Sequence, residues 1–183
     1  RDEIPRMIER YVATAERARL AGFDGIEFHG GYSYMVASFY SPHLNLRTDD
    51  YGGTFEKRMR FVDQIIDGIR LRSGADFPVG LKLNAHEHVA GGIDIDDAIR
   101  IARHLETRGI AYLHVVSSFP FDGLEVCEYS GLPTMYEEGY GMVLLAERLK
   151  QEVGTPIMAT GGIVDPEIAE GIIAEGRADM VAI

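Results

Sequence analysis

The sequence predicts an α/β protein: a TIM (β/α)8 barrel, present here as a C-terminal partial barrel of about five βα units. Three observations carry that prediction. First, an amphipathic helix, a glycine and a short apolar strand recur along the 183 residues. Strict alternation of this kind builds a parallel sheet with helical crossovers. Second, two strands gather polar residues on one face, Gly25, Glu27 and His29 in "FDGIEFH" and Gly80, Lys82 and Asn84 in "PVGLKLN". A polar face suits a barrel interior near its catalytic end better than an open sheet buried between two helical layers. Third, the long connections, roughly 24 and 20 residues after the first and third strands, leave from strand C-terminal ends, where barrel enzymes keep their chemistry.

The elements follow in order. The first helix carries Ile4, Ile8, Tyr11, Ala15 and Ala18 at three- and four-residue steps, and Gly22 supplies its left-handed end. The strand Phe23–His29 comes next. Thr54 is an N-cap for a second helix with Phe55, Met59, Val62, Ile66 and Ile69 on one face, closed by Gly74. The strand Pro78–Asn84 follows, with Val79, Leu81 and Leu83 opposite its polar face. The third helix has Ala98, Ile101, Ala102 and Leu105, then Gly109 and the strand "AYLHVVS". The fourth has Met142, Leu145, Leu149 and Val153, then Gly154 and "PIMAT". The fifth opens with Asp165 at the cap and Pro166 at the first helical position, and Gly176 leads into "DMVAI".

The chain starts at Arg1 inside a helical pattern and stops at Ile183 inside an apolar run. Residues 1–183 are therefore expected to be a single partial barrel domain, truncated at both ends, since a complete barrel takes about 250 residues. Its expected partner is the missing N-terminal barrel half of the same protein. Two open sheet edges favour self-association and leave a homo-oligomer open.

Composition excludes several classes. A net charge of −11, a pI near 4.9 and no Lys/Arg cluster argue against nucleic acid and anionic membrane surfaces. No apolar run reaches the roughly 20 residues that span a bilayer, and no secretory signal opens the chain. The one cysteine, Cys127, can form neither an internal disulfide nor a cysteine-based metal site, and it has no basic neighbour to activate it. A reducing, cytoplasmic location is expected.

The chemistry concentrates in "HGGYSY". His29 ends an inward-facing strand, Gly30 and Gly31 permit a close turn, and Tyr32 and Tyr34 follow. Imidazole and phenol together form a donor pair suited to a carbonyl oxygen. By spacing alone the same residues read more readily as ordinary loop-base groups with satisfied hydrogen bonds. Lys82 in a strand interior needs a partner or an anion. It suits an electron-rich cofactor edge, a Schiff base, or a buried pair with Glu27. The two glycines of "ATGGI", Gly161 and Gly162, offer backbone N–H groups to a phosphate. "HEH" at His86–His88 lacks the HExxH spacing and reads as solvated loop, and His114 reads as core or barrel lining.

These residues carry a resemblance. The segment "AGFDGIEFHGGYSYMVASFYSPHLNLRTDDYGGTFEKRMRFVDQIIDGIR" resembles the old yellow enzyme family of FMN-dependent ene-reductases. That family shows His-Gly-Ala-(His or Asn)-Gly-Tyr after a strand, then Ser-Pro, Asn-x-Arg-(Thr or Ser)-Asp and Tyr-Gly-Gly before a helix with two arginines. Here these are His29–Tyr34, Ser41-Pro42, Asn45–Asp49, Tyr51–Gly53, and Arg58 with Arg60. Weaker similarity continues through "PVGLKLN", "ATGGI" and "RADMVAI".

The resemblance implies barrel strands four to eight, FMN as cofactor, NADH or NADPH as reductant, and an α,β-unsaturated carbonyl compound as substrate. It implies that His29 binds the carbonyl oxygen and that Tyr34 protonates Cα after hydride reaches Cβ. Lys82 would lie against the flavin N1–O2 edge, and Gly161 and Gly162 would hold the phosphate. Tyr32 stands where the family has a second His or Asn, a bulkier donor that changes the substrate pose; Ser33 for Gly is a milder change. Some relatives carry an iron–sulfur cluster and further domains after the barrel. Two rival readings stand beside this one. In the first, a phosphate-binding barrel lyase or aldolase uses Lys82 as its Schiff base. In the second, the chain is a non-catalytic fragment that alone binds FMN poorly and does not turn over.

Overall fold

In the computed structural model, which describes residues 3–117 and 141–183, helices and strands alternate as α1 Glu3–Leu20, β1 Ile26–Gly30, α2 Met35–Tyr40, α3 Phe55–Ser73, β2 Val79–His86, α4 Ile95–Thr107, β3 Tyr112–Ser117, α5 Gly141–Lys150, β4 Ile157–Ala159, α6 Pro166–Ala174 and β5 Met180–Val181. Cys127 and most of the second long connection lie outside the described residues. All four strand pairings are parallel, in the order β1-β2-β3-β4-β5. A doubly wound sheet reverses its order at a switch point, whereas a barrel adds strands in sequence. The monotonic order makes this part of a barrel.

The helices form where sequence and caps agree. Thr54 accepts a hydrogen bond from Lys57 N, Asp94 from Asp97 N and Asp165 from Glu167 N, with Pro166 at the start of α6. The inner face of α3 buries Met59, Phe61, Val62, Ile65, Ile66 and Ile69 completely. That layer packs on the outward side of the sheet, where Leu81, Leu83, Leu113, Val115 and Ile157 are equally buried. No helix among the described residues is long and apolar enough to cross a membrane.

Four elements depart from expectation. β1 begins at Ile26, not Phe23. Gly22 turns left-handed at φ +88°, and Phe23 N–H bonds back to Ala18 O, so Phe23 closes the helix and stays exposed. β2 runs past Asn84 to His86 through an irregularity opposite β3. The connection after β1 contains the unanticipated helix α2, whose Val36, Ala37, Phe39 and Tyr40 pack inward. α5 ends at Lys150, leaving Val153 in the following turn.

Candidate active site

The inward sides of β1, β2 and β3 meet in register. Glu27 lies beside Gly80 and Gly80 beside Tyr112; one layer higher, His29 lies beside Lys82 and Lys82 beside His114. Gly80 makes room for the Tyr112 ring that crosses it: a Cβ there would come 2.3 Å from that ring, which would have to shift. Under that ring Glu27 takes His114 as its ion partner, Nδ1 to carboxylate 3.2 Å. Burial pushes Glu27 up, but the His114 hydrogen bond and the charges of His114 and Lys82 outweigh it and hold the carboxyl below its ordinary value. Burial and then Glu27 push the Tyr112 phenol up to about 12. Lys82 therefore does not form the expected direct pair with Glu27. Its ammonium acts on Glu27 and His29 across the interior.

At the rim, His29, Tyr32 and Tyr34 come together as expected. The His29 ring centroid lies 5.5 Å from Tyr32 and 4.8 Å from Tyr34, and the two tyrosine rings are 6.0 Å apart. Gly31 N–H donates to His29 Nδ1 over 3.1 Å. The neutral imidazole accordingly carries its proton on Nε2, which makes that atom a donor. Burial lowers the His29 pKa and the Lys82 charge lowers it further, so the ring is neutral at pH 7. Burial, then the neighbouring Tyr34, raises the Tyr32 phenol, which keeps its proton. Tyr34 occupies the N-cap position of α2 without a side-chain cap bond and is 58% exposed.

The glycines of the turn serve packing. A Cβ at Gly30 would sit 2.7 Å from Lys82 O, and one at Gly31 would sit 2.8 Å from Val116 Cγ2. The left-handed residue is Tyr32, at φ +56°. Buried groups that sequence reasoning passed over surround it. Asn84 binds both the N–H and the carbonyl of Tyr32. The fully buried Tyr40 phenol donates to Gly30 O and accepts from Asn84 N, and burial raises its pKa far above the ordinary value. Glu87 corrects the reading of "HEH" as solvated loop. It is completely buried because its carboxylate accepts from Ser41 Oγ at 2.8 Å and Ile93 N at 2.9 Å. His88 reaches Ser117 Oγ with its Nε2 at 2.5 Å. His114 is buried, as expected of barrel lining. The signal that could have found Asn84 is its place on the Lys82 face; nothing local marks Glu87.

The remaining motif residues brace the loop. Asn45 Nδ2 donates to Phe39 O and, over 2.7 Å, to Tyr51 O. Arg47 pairs with Asp49. Arg58 donates to Tyr40 O at 3.1 Å and Gly53 O at 2.7 Å. After β4, Gly161 and Gly162 take φ +102° and +68°, at the same end of the sheet as the tyrosine rim.

Comparison with known proteins agrees with this architecture. The model of the NADH:flavin oxidoreductase / NADH oxidase family matches residues 1–183. An NADH oxidase of Thermoanaerobacter brockii is 42% identical over 187 residues, covering all of this chain and 27% of that protein. An NADPH dehydrogenase of Bacillus pumilus (strain SAFR-032) is 34% identical over 182 residues, covering all of this chain and 50% of that protein. Morphinone reductase in complex with tetrahydroNAD superposes with a TM-score of 0.73 at 30% identity, over all of this chain and 45% of that one. The chain spans half or less of the length of these relatives.

Proposed function

The chain belongs to the NADH:flavin oxidoreductase / NADH oxidase family, and from that premise we propose that its residues form the substrate side and part of the cofactor side of an FMN-dependent reductase of α,β-unsaturated carbonyl compounds. The observation that carries the reading is the cluster of His29, Tyr32 and Tyr34 above Lys82.

The residues fit FMN on two features. Lys82 is a half-buried cation that acts electrostatically on Glu27, a carboxylate already paired with His114. It is free to face the electron-rich edge of a flavin. Gly161 and Gly162 present a turn of positive-φ backbone at the matching end of β4, suited to a phosphate. Bound there, FMN would supply hydride taken from NADH or NADPH.

The rest is work for the protein's own side chains. His29 donates Nε2–H to the substrate carbonyl as a neutral imidazole and leaves the electron demand on the alkene in place. Tyr32 adds a second donor, protonated across the physiological range. Tyr34 is close to the His29 ring, exposed, and a phenol, so it can give its proton to Cα. The name of morphinone reductase, solved with tetrahydroNAD, supports a reduction as the reaction class. In this reading residues 1–183 act as one partial barrel domain, and the protein's remaining barrel strands complete the cofactor site.

The test is an absorbance spectrum of the full-length protein, followed by separate half-reactions. Flavin bands that bleach with NADH or NADPH are expected. Tyr34→Phe should slow reoxidation by an unsaturated carbonyl by about 10²- to 10⁴-fold while bleaching proceeds at the original rate. A protein that takes up no FMN would end this reading.

A further inference from the structure

We propose that Asn84 is a positioning residue, which locks Tyr32 in its left-handed conformation and so aims the donors of the rim. The inference deepens the functional reading above and rests on it for the role of Tyr32.

A residue with a Cβ meets steric cost in the left-handed region, and Tyr32 is held there at φ +56°. Something has to hold it. Asn84 Oδ1 accepts from Tyr32 N at 2.8 Å, and Asn84 Nδ2 donates to Tyr32 O at 2.9 Å. These two groups belong to the two peptide planes that flank Tyr32. Fixing both planes against one rigid amide sets φ and ψ together.

The clamp is itself anchored. Asn84 is completely buried, and its backbone N donates at 3.2 Å to Tyr40 Oη, which in turn donates to Gly30 O. Its Nδ2 lies 3.5 Å from Glu87 Oε1, and Ser41 and Ile93 hold Glu87. Asn84 thus joins both ends of the "HGGY" turn to strand β2. The side chain must be an acceptor and a donor on one short planar group. Aspartate at neutral pH keeps the bond to Tyr32 N but sets a second acceptor against Tyr32 O.

The experiment compares Asn84→Ala and Asn84→Asp with the parent, as flavin-loaded full-length protein. Amide hydrogen exchange of the peptide spanning His29–Tyr34 should rise in Asn84→Ala, with a smaller rise in Asn84→Asp. Exchange within Leu81–Leu83 should stay at the parent level, which shows that the strand persists. Kinetically, KM for an unsaturated carbonyl should rise on the order of 10- to 100-fold, while flavin reduction by NADH or NADPH is unchanged. A double-mutant cycle isolates the cause. In a Tyr32→Gly background, where glycine turns left-handed without steric cost, Asn84→Ala should add less than about a twofold effect. Unchanged exchange at the turn, or an equal Asn84→Ala effect in both backgrounds, would overturn the proposal. If the protein binds no flavin, the functional reading fails and the exchange result alone decides the clamp.

Discussion

Strand β2 shows two different proteins on its two faces. Leu81 and Leu83 point outward, are completely buried, and pack with Leu113, Val115 and the inner faces of the helices. Lys82 and Asn84 point inward, toward His29, Glu27, His114 and the Tyr32 turn. One face holds its neighbours by area removed from water. The other holds them by a few directed bonds and by charge. The difference teaches that stability and chemistry are separable here by single-residue steps along one strand, and adjacent substitutions should give opposite signatures.

The largest contrast comes from neighbours. Leu83→Ala removes a side chain with no room to collapse and should cost about 2–5 kcal/mol of unfolding free energy, read by denaturant titration. Lys82→Met keeps the volume and loses the cation. It should leave stability close to the parent and weaken FMN binding by about 10- to 100-fold, as loss of a charged hydrogen bond of about 1.5–3 kcal/mol predicts. The flavin midpoint potential should also become more negative, since a cation beside the reduced ring favours its negative charge. If Lys82→Met unfolds the chain, or Leu83→Ala spares it, the two faces are not separable in this way.

How much of this was legible beforehand follows the same division. Apolar spacing, caps and helix-ending glycines gave the order of five βα units, because burial writes itself into the sequence with a fixed period. His29, Tyr32, Tyr34 and Lys82 were legible as candidates because polar residues on a buried strand face and a glycine-bounded turn are locally conspicuous. The bracing of that turn was not. Asn84 and Tyr32 are separated by 52 positions, and Ser41 and Glu87 by 46. No local pattern announces a bond across such a distance. The left-handed position was misleading for a related reason. Two glycines precede it, yet close contacts with Lys82 O and Val116 consume them, and the strain falls on Tyr32.

A smaller, pH-dependent effect sharpens the view of the inward face. His29 is held below its ordinary value, first by burial and then by the Lys82 charge. In the unfolded chain the ring takes its proton near pH 6.5; in the folded chain it resists to lower pH. Between those two values the unfolded state binds more protons. This contribution is therefore fully present above about pH 6.5 and is lost as pH falls through the window. His88 is lowered too, by burial and then by His86, and adds a slope of the same sign. The test is thus the difference between parent and His29→Asn: the variant should show the shallower fall in stability between pH 7 and pH 5. Protonation also ends the bond from Gly31 N–H to Nδ1, so KM for the carbonyl substrate should rise over the same interval in the parent. An identical pH slope in the variant would remove His29 from the account.

The smallest effect belongs to the outer layer, at the end of a motif that resemblance alone would count among the functional residues. Thr54 follows Tyr51–Gly53 and caps α3, its Oγ1 accepting from Lys57 N at 3.4 Å. At that length the bond is weak, so Thr54→Ala should cost about 0.5 kcal/mol, at the low end of N-cap losses. For a chain of this size that corresponds to a fall in Tm of roughly 1–2 °C. The neighbouring motif residues behave alike: Asn45, Asp49 and Arg58 spend their polar atoms on Phe39, Tyr40, Arg47, Tyr51 and Gly53. They fix the connection after β1 to α3, and in the proposed reading carbonyl binding is left to the rim. Thr54→Ala should accordingly shift Tm slightly and leave both half-reactions at parental rates. A drop in the reoxidation rate with Tm unchanged would instead place the Tyr-Gly-Gly segment in the chemistry, and the boundary between the two faces would have to be redrawn along the loop.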